Sequence, residues 1–326
     1  MRVLVLGTGS IGQRHCRNLV ALGQEVRAWD PDPARLREAA AIAGVSAAPS
    51  LDEALASSPD GALICAPPAA HVELGRRALT AGAHLFVEKP IAHASAEVPA
   101  LIAEAAGRKR LVAVGLNLRF LPSLRRVKTL LDDKRVGRVL AVRAEFGSYL
   151  PDWRPGRDYR DNYAVRAALG GGILLDAIHE LDYLGWLFGD AAEVFCTAGH
   201  VSDLAGDTED LAETTVRFES GVLAQVHLDY LQRVYRRNLQ VIGETGVIGW
   251  DYPTHTVTVH ALEPPPETIA VADGDPNDMY LEEIRHFLGC IEGGERLLVD
   301  GQDGLRSLRL VEAAKASAAL GRWVKL

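Results

Sequence analysis

At 326 residues the chain exceeds one ordinary doubly wound domain, and two domains are the expectation. Hydrophobic residues make up 48% and charged residues 24%, the balance of a globular protein, and no stretch approaches the ~20 apolar residues of a membrane-spanning helix. A net charge of −8 argues against a nucleic-acid-binding surface.

Residues 3–6 form a four-residue apolar run stopped by glycine, the pattern of a buried parallel strand. Gly7-Thr8-Gly9-Ser10-Ile11-Gly12 follows and runs into a helix that reaches residue 22. Residues 25–29 give a second strand, ending at Asp30. Residues 61–65 and 84–87 supply later strands around a helical stretch at 69–81, and 111–115 is a further apolar run. Strands alternating with helices in this order predict a Rossmann doubly wound parallel sheet over residues 1–118. The four cysteines (Cys16, Cys65, Cys196, Cys290) lie far apart with no C-x-x-C pair. They fit reduced thiols in a cytoplasmic protein and give no support for a metal site.

The hexapeptide from Gly7 to Gly12 reads G-x-G-x-x-G, a weak signal alone but here placed between a strand and a helix. Gly7 allows the tight turn, Gly9 lets backbone approach a pyrophosphate, and Gly12 lets the helix sit close to the strand. The helix opening at Ser10 and Ile11 offers N–H groups and a partial positive charge to phosphates. Asp30 lies 18 positions after Gly12, where a carboxylate accepts hydrogen bonds from ribose hydroxyls and repels a 2′-phosphate. NAD is therefore favoured over NADP, with Arg35 the one nearby residue that speaks for NADP. Lys89 closes the strand of residues 84–87 in Glu88-Lys89-Pro90. A lysine at the carboxyl end of a parallel strand points into the ligand crevice of such folds, where an ammonium can polarise a hydroxyl or carbonyl.

Beyond residue 119 the texture changes. Residues 136–147 read as a strand, 148–167 as a long polar loop and 173–188 as a helix. Several strands with turn signals lie between 193 and 260, a mostly antiparallel pattern, with a surface loop at Glu263-Pro264-Pro265-Pro266. Two helices, near 277–291 and 304–320, close a second α/β domain spanning 119–326. In the helix after Gly170-Gly171-Gly172, Asp176, His179, Glu180 and Tyr183 share the face opposite the apolar one. A histidine beside a carboxylate on one face is a candidate general base; periodicity alone favours a solvated face without chemistry.

Taken together, the fingerprint through His15, the segment from Ala66 and Pro67 to His71, Glu88-Lys89-Pro90, Asn117-Leu118-Arg119-Phe120, and Gly170-Gly171-Gly172 through Asp176 and His179 resemble the glucose–fructose oxidoreductase/inositol dehydrogenase (Gfo/Idh/MocA) family over nearly the whole chain. The resemblance implies a Rossmann domain followed by an α/β domain with a large open sheet that packs in homodimers or homotetramers. It implies hydride transfer between nicotinamide and a hydroxyl-bearing carbon of a sugar, sugar derivative or cyclitol. Lys89 would be the catalytic lysine, His179 the acid/base and Asp176 its neighbour. Ala66, Pro67, His71 and Glu88 would join the cofactor-binding residues, and Asn117 and Arg119 the substrate-binding ones. Asp176 and His179 are separated by three positions where many relatives have four.

The substrate must be read by the loop that carries Trp153, Arg157, Tyr159, Arg160 and Tyr163. Aromatic faces stack on sugar C–H surfaces, and arginine forks bind carboxylate or phosphate. With Arg154 and Arg166, and with Arg233, Arg236 and Arg237 further on, these arginines suit a nucleotide sugar or sugar acid. They equally suit surface pairing with Asp152, Asp158 and Asp161. A non-catalytic NAD(H)-responsive regulator and an NAD-dependent glycosidase are the alternatives to a dehydrogenase.

Overall fold

A computed structural model describes residues 1–154, 156, 158–261 and 266–326. Its contacts divide the chain into two compact units, Met1–Asn117 with Pro276–Leu305, and Leu118–Asp275 with Arg306–Leu326.

The first unit is built on β1 (Arg2–Leu6), α1 (Ser10–Ala21), β2 (Glu25–Trp29), α2 (Pro33–Ala40), β3 (Val45–Ala47), α3 (Leu51–Ala56), β4 (Gly61–Ile64), α4 (His71–Thr80), β5 (His84–Glu88), α5 (Val98–Gly107) and β6 (Val112–Gly115). The six strands are parallel in the order β3-β2-β1-β4-β5-β6. Strand order reverses between β1 and β4, so the carboxyl ends of β1, β4 and β5 border the switch-point crevice where such sheets take ligands. β4 and β6 are buried along their length and β1 from Val3 onward, which is why they read as continuous apolar runs rather than alternating ones. Local chemistry sets the helix starts: the Asp32 carboxylate accepts from Ala34 N–H ahead of Pro33, and Ser50 Oγ accepts from Glu53 N–H.

The second unit contains α6 (Pro122–Asp132), β7 (Val139–Gly147), four short 3₁₀ turns between residues 150 and 169, α7 (Ile173–Asp176) and α8 (Ile178–Phe188). Then come β8 (Ala191–Gly199), β9 (Leu211–Phe218), β10 (Leu223–Asp229), β11 (Arg236–Gly243), β12 (Gly246–Asp251), β13 (Thr256–Ala261) and β14 (Glu267–Ala270). With β15 (Val324–Lys325) these strands form a nine-stranded sheet in the order β14-β13-β12-β11-β7-β10-β9-β8-β15. Every pairing is antiparallel except β7 with β10. Alternation is clean here: Ala212, Thr214, Val216 and Phe218 of β9 are buried, and Glu213 and Arg217 between them are exposed. Beneath the sheet Trp250 packs edge-on to Tyr183 and donates Nε1–H to Ser123, which Asp273 holds through two 2.7 Å hydrogen bonds.

Two further helices follow, α9 (Asp278–Ile291) and α10 (Gly301–Leu320). α9 belongs to the first unit, where Ile284, Phe287 and Leu288 enter the core with Val3, Leu63 and Phe86. α10 begins in the first unit and ends in the second.

One expected element differs. The helix predicted over 173–188 is two helices broken at Ala177 (φ −93°, ψ 29°). Nor is its polar face solvated: Glu180 and Tyr183 are fully buried and Asp176 is nearly so. Periodicity reports which residues share a face; it does not report that a second layer covers the polar one. Part of the Glu263-Pro264-Pro265-Pro266 loop lies outside the described residues.

Candidate active site

In the first unit the fingerprint has the shape its sequence requires. Gly7 sits at φ +95°, and a Cβ there would stand 2.7 Å from Ala66 N; one on Gly12 would stand 2.0 Å from the Gly7 carbonyl oxygen. A Cβ on Gly9 would meet nothing within 4 Å, which is the clearance a pyrophosphate needs against this backbone. No side chain caps α1, so the N–H groups of its first turn, at Ser10 and Ile11, face that space without an internal acceptor side chain. Asp30, at the end of β2, is pinned to the fingerprint: its carboxylate accepts from Thr8 N–H at 2.6 Å and Thr8 Oγ1–H at 3.2 Å, and from Asp32 N–H at 2.9 Å. Arg35, the residue that spoke for NADP, lies 3.5 Å from Asp32. The residues present thus fit a dinucleotide, with the pyrophosphate on α1 and the ribose at Asp30.

At the end of β5, Lys89 is half-buried, and its backbone N–H donates to Glu88 Oε2 at 3.1 Å. Glu88 is buried, and its other oxygen lies 2.6 Å from His15 Nε2 of α1. The Ala66-Pro67 turn leaves β4 beside the fingerprint, with Pro67 exposed. His71 is buried, its ring nitrogens directed at the carbonyls of Pro90 (2.9 Å) and Ala66 (2.7 Å). Burial pulls its pKa below the usual histidine value. His71 therefore ties the β4 turn to the segment after Lys89, and its ring is spent on backbone. Asn117, also buried, hydrogen-bonds the Tyr280 hydroxyl of α9.

In the second unit Gly172 takes φ +109°, and a Cβ on Gly171 would stand 2.4 Å from the Tyr163 carbonyl oxygen. That close approach brings the loop onto α7. Asp176, the last residue of α7, accepts from Tyr163 Oη–H at 2.6 Å and from Tyr230 Oη–H at 3.0 Å. Burial and the Asp176 charge raise the Tyr230 hydroxyl well above its ordinary pKa, so it remains a donor. His179 stands in the first turn of α8, half-buried, on the other side of the Ala177 break. Glu180 and Asp182 of α8 pair with arginines: Arg237 Nε–H donates to Glu180 at 2.7 Å, and Arg119 grips Asp182 bidentately at 2.9 and 2.6 Å. Arg119 is thereby buried in an ion pair that Ser307 completes from α10.

In the loop, Trp153 donates Nε1–H to Ser148 O and stands edge-on to Tyr230 at 5.3 Å. The Tyr159 hydroxyl accepts from Ala205 N–H. Arg160 is exposed and folded onto Asp158, which its guanidinium holds down at a pKa of about 2. Arg157 lies outside the described residues. Arg233 stacks on Tyr149 at 3.5 Å.

Residues 1–116 match the model of the oxidoreductase family with an NAD-binding Rossmann fold, and residues 124–249 match that of the GFO/IDH/MocA C-terminal domain. Myo-inositol 2-dehydrogenase of Thermotoga maritima is 30% identical, over all of this chain and 98% of its own length. The chain belongs to the GFO/IDH/MocA oxidoreductase family. UDP-N-acetylglucosamine 3-dehydrogenase of Acidithiobacillus ferrooxidans is 26% identical over 94% of each chain. The crystal structure of GenD2 from gentamicin A biosynthesis, in complex with NAD, superposes with a TM-score of 0.87 at 25% identity, over all of this chain and 96% of that one.

Four residues of this family member escaped the sequence reading. Tyr230 has no signal beyond ending a strand. Tyr280 and Glu283 sit on α9, assigned by sequence to the other domain; an acid four residues from both Met279 and Phe287 in an apolar stripe is the clue. His15 was visible as the third residue after Gly12, without a partner to give it a role.

Proposed function

We propose that this oxidoreductase removes hydride from a hydroxyl-bearing carbon of an uncharged sugar or cyclitol, with Lys89 and His179 as its catalytic residues. The observation that carries the reading is Lys89 closing β5 at the switch-point crevice of a sheet whose fingerprint and Asp30 are intact. NAD, when bound, supplies the hydride acceptor. Lys89 holds the substrate oxygen and stabilises its alkoxide character, and His179 takes the hydroxyl proton. Asp176, with both oxygens engaged by tyrosine hydroxyls, orders the loop and α7 rather than moving the proton.

An uncharged substrate is favoured over a nucleotide sugar or sugar acid because three of the arginines assigned to the substrate or its anion are already paired with carboxylates. Arg119 binds Asp182, Arg237 binds Glu180 and Arg160 binds Asp158. The names of the relatives, an inositol dehydrogenase and a nucleotide-sugar dehydrogenase, span both classes. We place the enzyme in the cytoplasm as a homodimer or homotetramer, on the support of four buried free thiols and the exposed polar face of the nine-stranded sheet (Arg143, Gln225, Gln240). Light scattering after size exclusion reads the assembly.

NADH formation from NAD, and NADPH from NADP, is to be followed across inositols, neutral sugars, sugar acids and nucleotide sugars. Turnover on neutral polyols with NAD is the expected result. Turnover confined to anionic sugars would overturn the substrate reading, and release of an aglycone without NADH would overturn the reaction.

A further inference from the structure

Beneath Lys89 the first unit buries three titratable side chains that the mechanism above does not use. His15 is fully buried in α1, Glu88 ends β5, and Glu283 of α9 is 2% exposed. One ligating atom from each lies within 4.8 Å of the other two. His15 Nδ1 and both Glu283 carboxyl oxygens have no hydrogen-bond partner among the described residues. The imidazole therefore carries its proton on Nε2 and donates it to Glu88 Oε1 at 2.6 Å. Glu88 Oε2 takes the Lys89 backbone N–H.

Two carboxylates this close in an apolar site, with no donor for the second, do not both ionise. Cys65 faces the cluster from the end of β4 with its thiol pushed up by burial, and Tyr280 of α9 packs edge-on to His15. Arg14 lies over the Tyr280 ring, 4.3 Å from its centroid. Burial and the neighbouring Glu88 charge raise the Glu283 pKa well above the carboxylate range.

We propose that His15 and Glu283 are positioning residues for Lys89, acting through Glu88: His15 fixes the carboxylate that anchors the Lys89 backbone, and Glu283 stands beside it as a neutral carboxylic acid. The inference deepens the role given to Lys89 above, but it is tested without substrate or cofactor, so it can fail while that role stands, and the reverse.

The test uses the full chain. Difference infrared spectra of wild type against Glu283→Gln at neutral pH are expected to show a protonated-carboxyl C=O stretch that the variant lacks. In parallel, the rate of amine acylation at Lys89 is read by mass spectrometry. His15→Gln, which keeps a donor near the Nε2 position, should label as wild type, and His15→Ala several-fold faster. Spectra without that band, or with it unchanged in Glu283→Gln, would overturn the neutral acid. So would a stoichiometric divalent cation found by elemental analysis and lost from the variant. Equal labelling in His15→Ala and wild type would overturn the positioning role. If His15→Ala does not fold, His15→Leu serves in the same comparison, and the infrared result stands on the isosteric variant alone.

Discussion

The buried acids of the two units are treated in opposite ways. In the second unit Asp176 receives two tyrosine hydroxyls, Asp182 a bidentate arginine and a serine, and Glu180 an arginine. In the first, Glu88 has an imidazole and a backbone N–H, and Glu283, also buried, has no hydrogen-bond donor among the described residues. Burial alone therefore does not decide what an acid is; the count of donors around it does. The donor-rich acids tie α7 and α8 to the loop, to β11 and to α10 through those partners. The donor-poor one is cheapest with its proton on, which makes the end of β5 sensitive to pH.

Removing donors from the second unit should make it resemble the first. The largest effect is expected from Arg119→Ala, which takes the bidentate guanidinium from buried Asp182; losing one partner of a buried ion pair costs about 3–5 kcal/mol. Urea unfolding measures it. Tyr230→Phe takes one of two hydroxyls from Asp176 and should cost about 1–3 kcal/mol by the same measurement.

Glu283→Gln sharpens the contrast from the other side. An acid whose folded pKa is raised adds stability that is complete below its unfolded pKa and is lost as pH rises through the folded value. Wild-type stability should therefore decline with pH above about 4.3, and the variant should lack that part of the decline. His227 runs on a different clock. Asp229 and Glu213 hold its pKa up at about 9, so its contribution is full below the ordinary histidine pKa and vanishes as pH rises through about 9. Discounted for solvent, His227→Gln should cost about 1 kcal/mol at pH 6 and nothing at pH 10. Asp158→Asn breaks a fully exposed pair with Arg160 and should leave unfolding unchanged.

How much of this was legible in the sequence follows the same divide. Strands β1, β4, β5 and β6 were readable because buried strands are uninterrupted apolar runs, whereas the exposed β3 gave no such run, and the fingerprint was readable because its glycines are demanded by backbone contacts at Gly7 and Gly12. The mostly antiparallel sheet was readable from alternation, as in β9. What sequence does not carry is pairing across long separations. Arg119 reads as a substrate contact until Asp182 is seen 63 residues later, and Glu180 as a solvated charge until Arg237 is seen 57 residues later. Glu283 meets Glu88 only because α9 joins the first unit after the whole second one has been traversed. The break at Ala177 was equally hidden, since neither glycine nor proline marks it.

Lys89→Ala tests the central claim most directly, with NAD binding and turnover measured on the same protein. NAD is expected to bind within a few-fold of wild type while kcat falls by roughly 10²–10³, the loss expected for one oxyanion-stabilising group. Undiminished kcat, or a variant whose only defect is weaker NAD binding, would contradict it and take the catalytic role away from the end of β5.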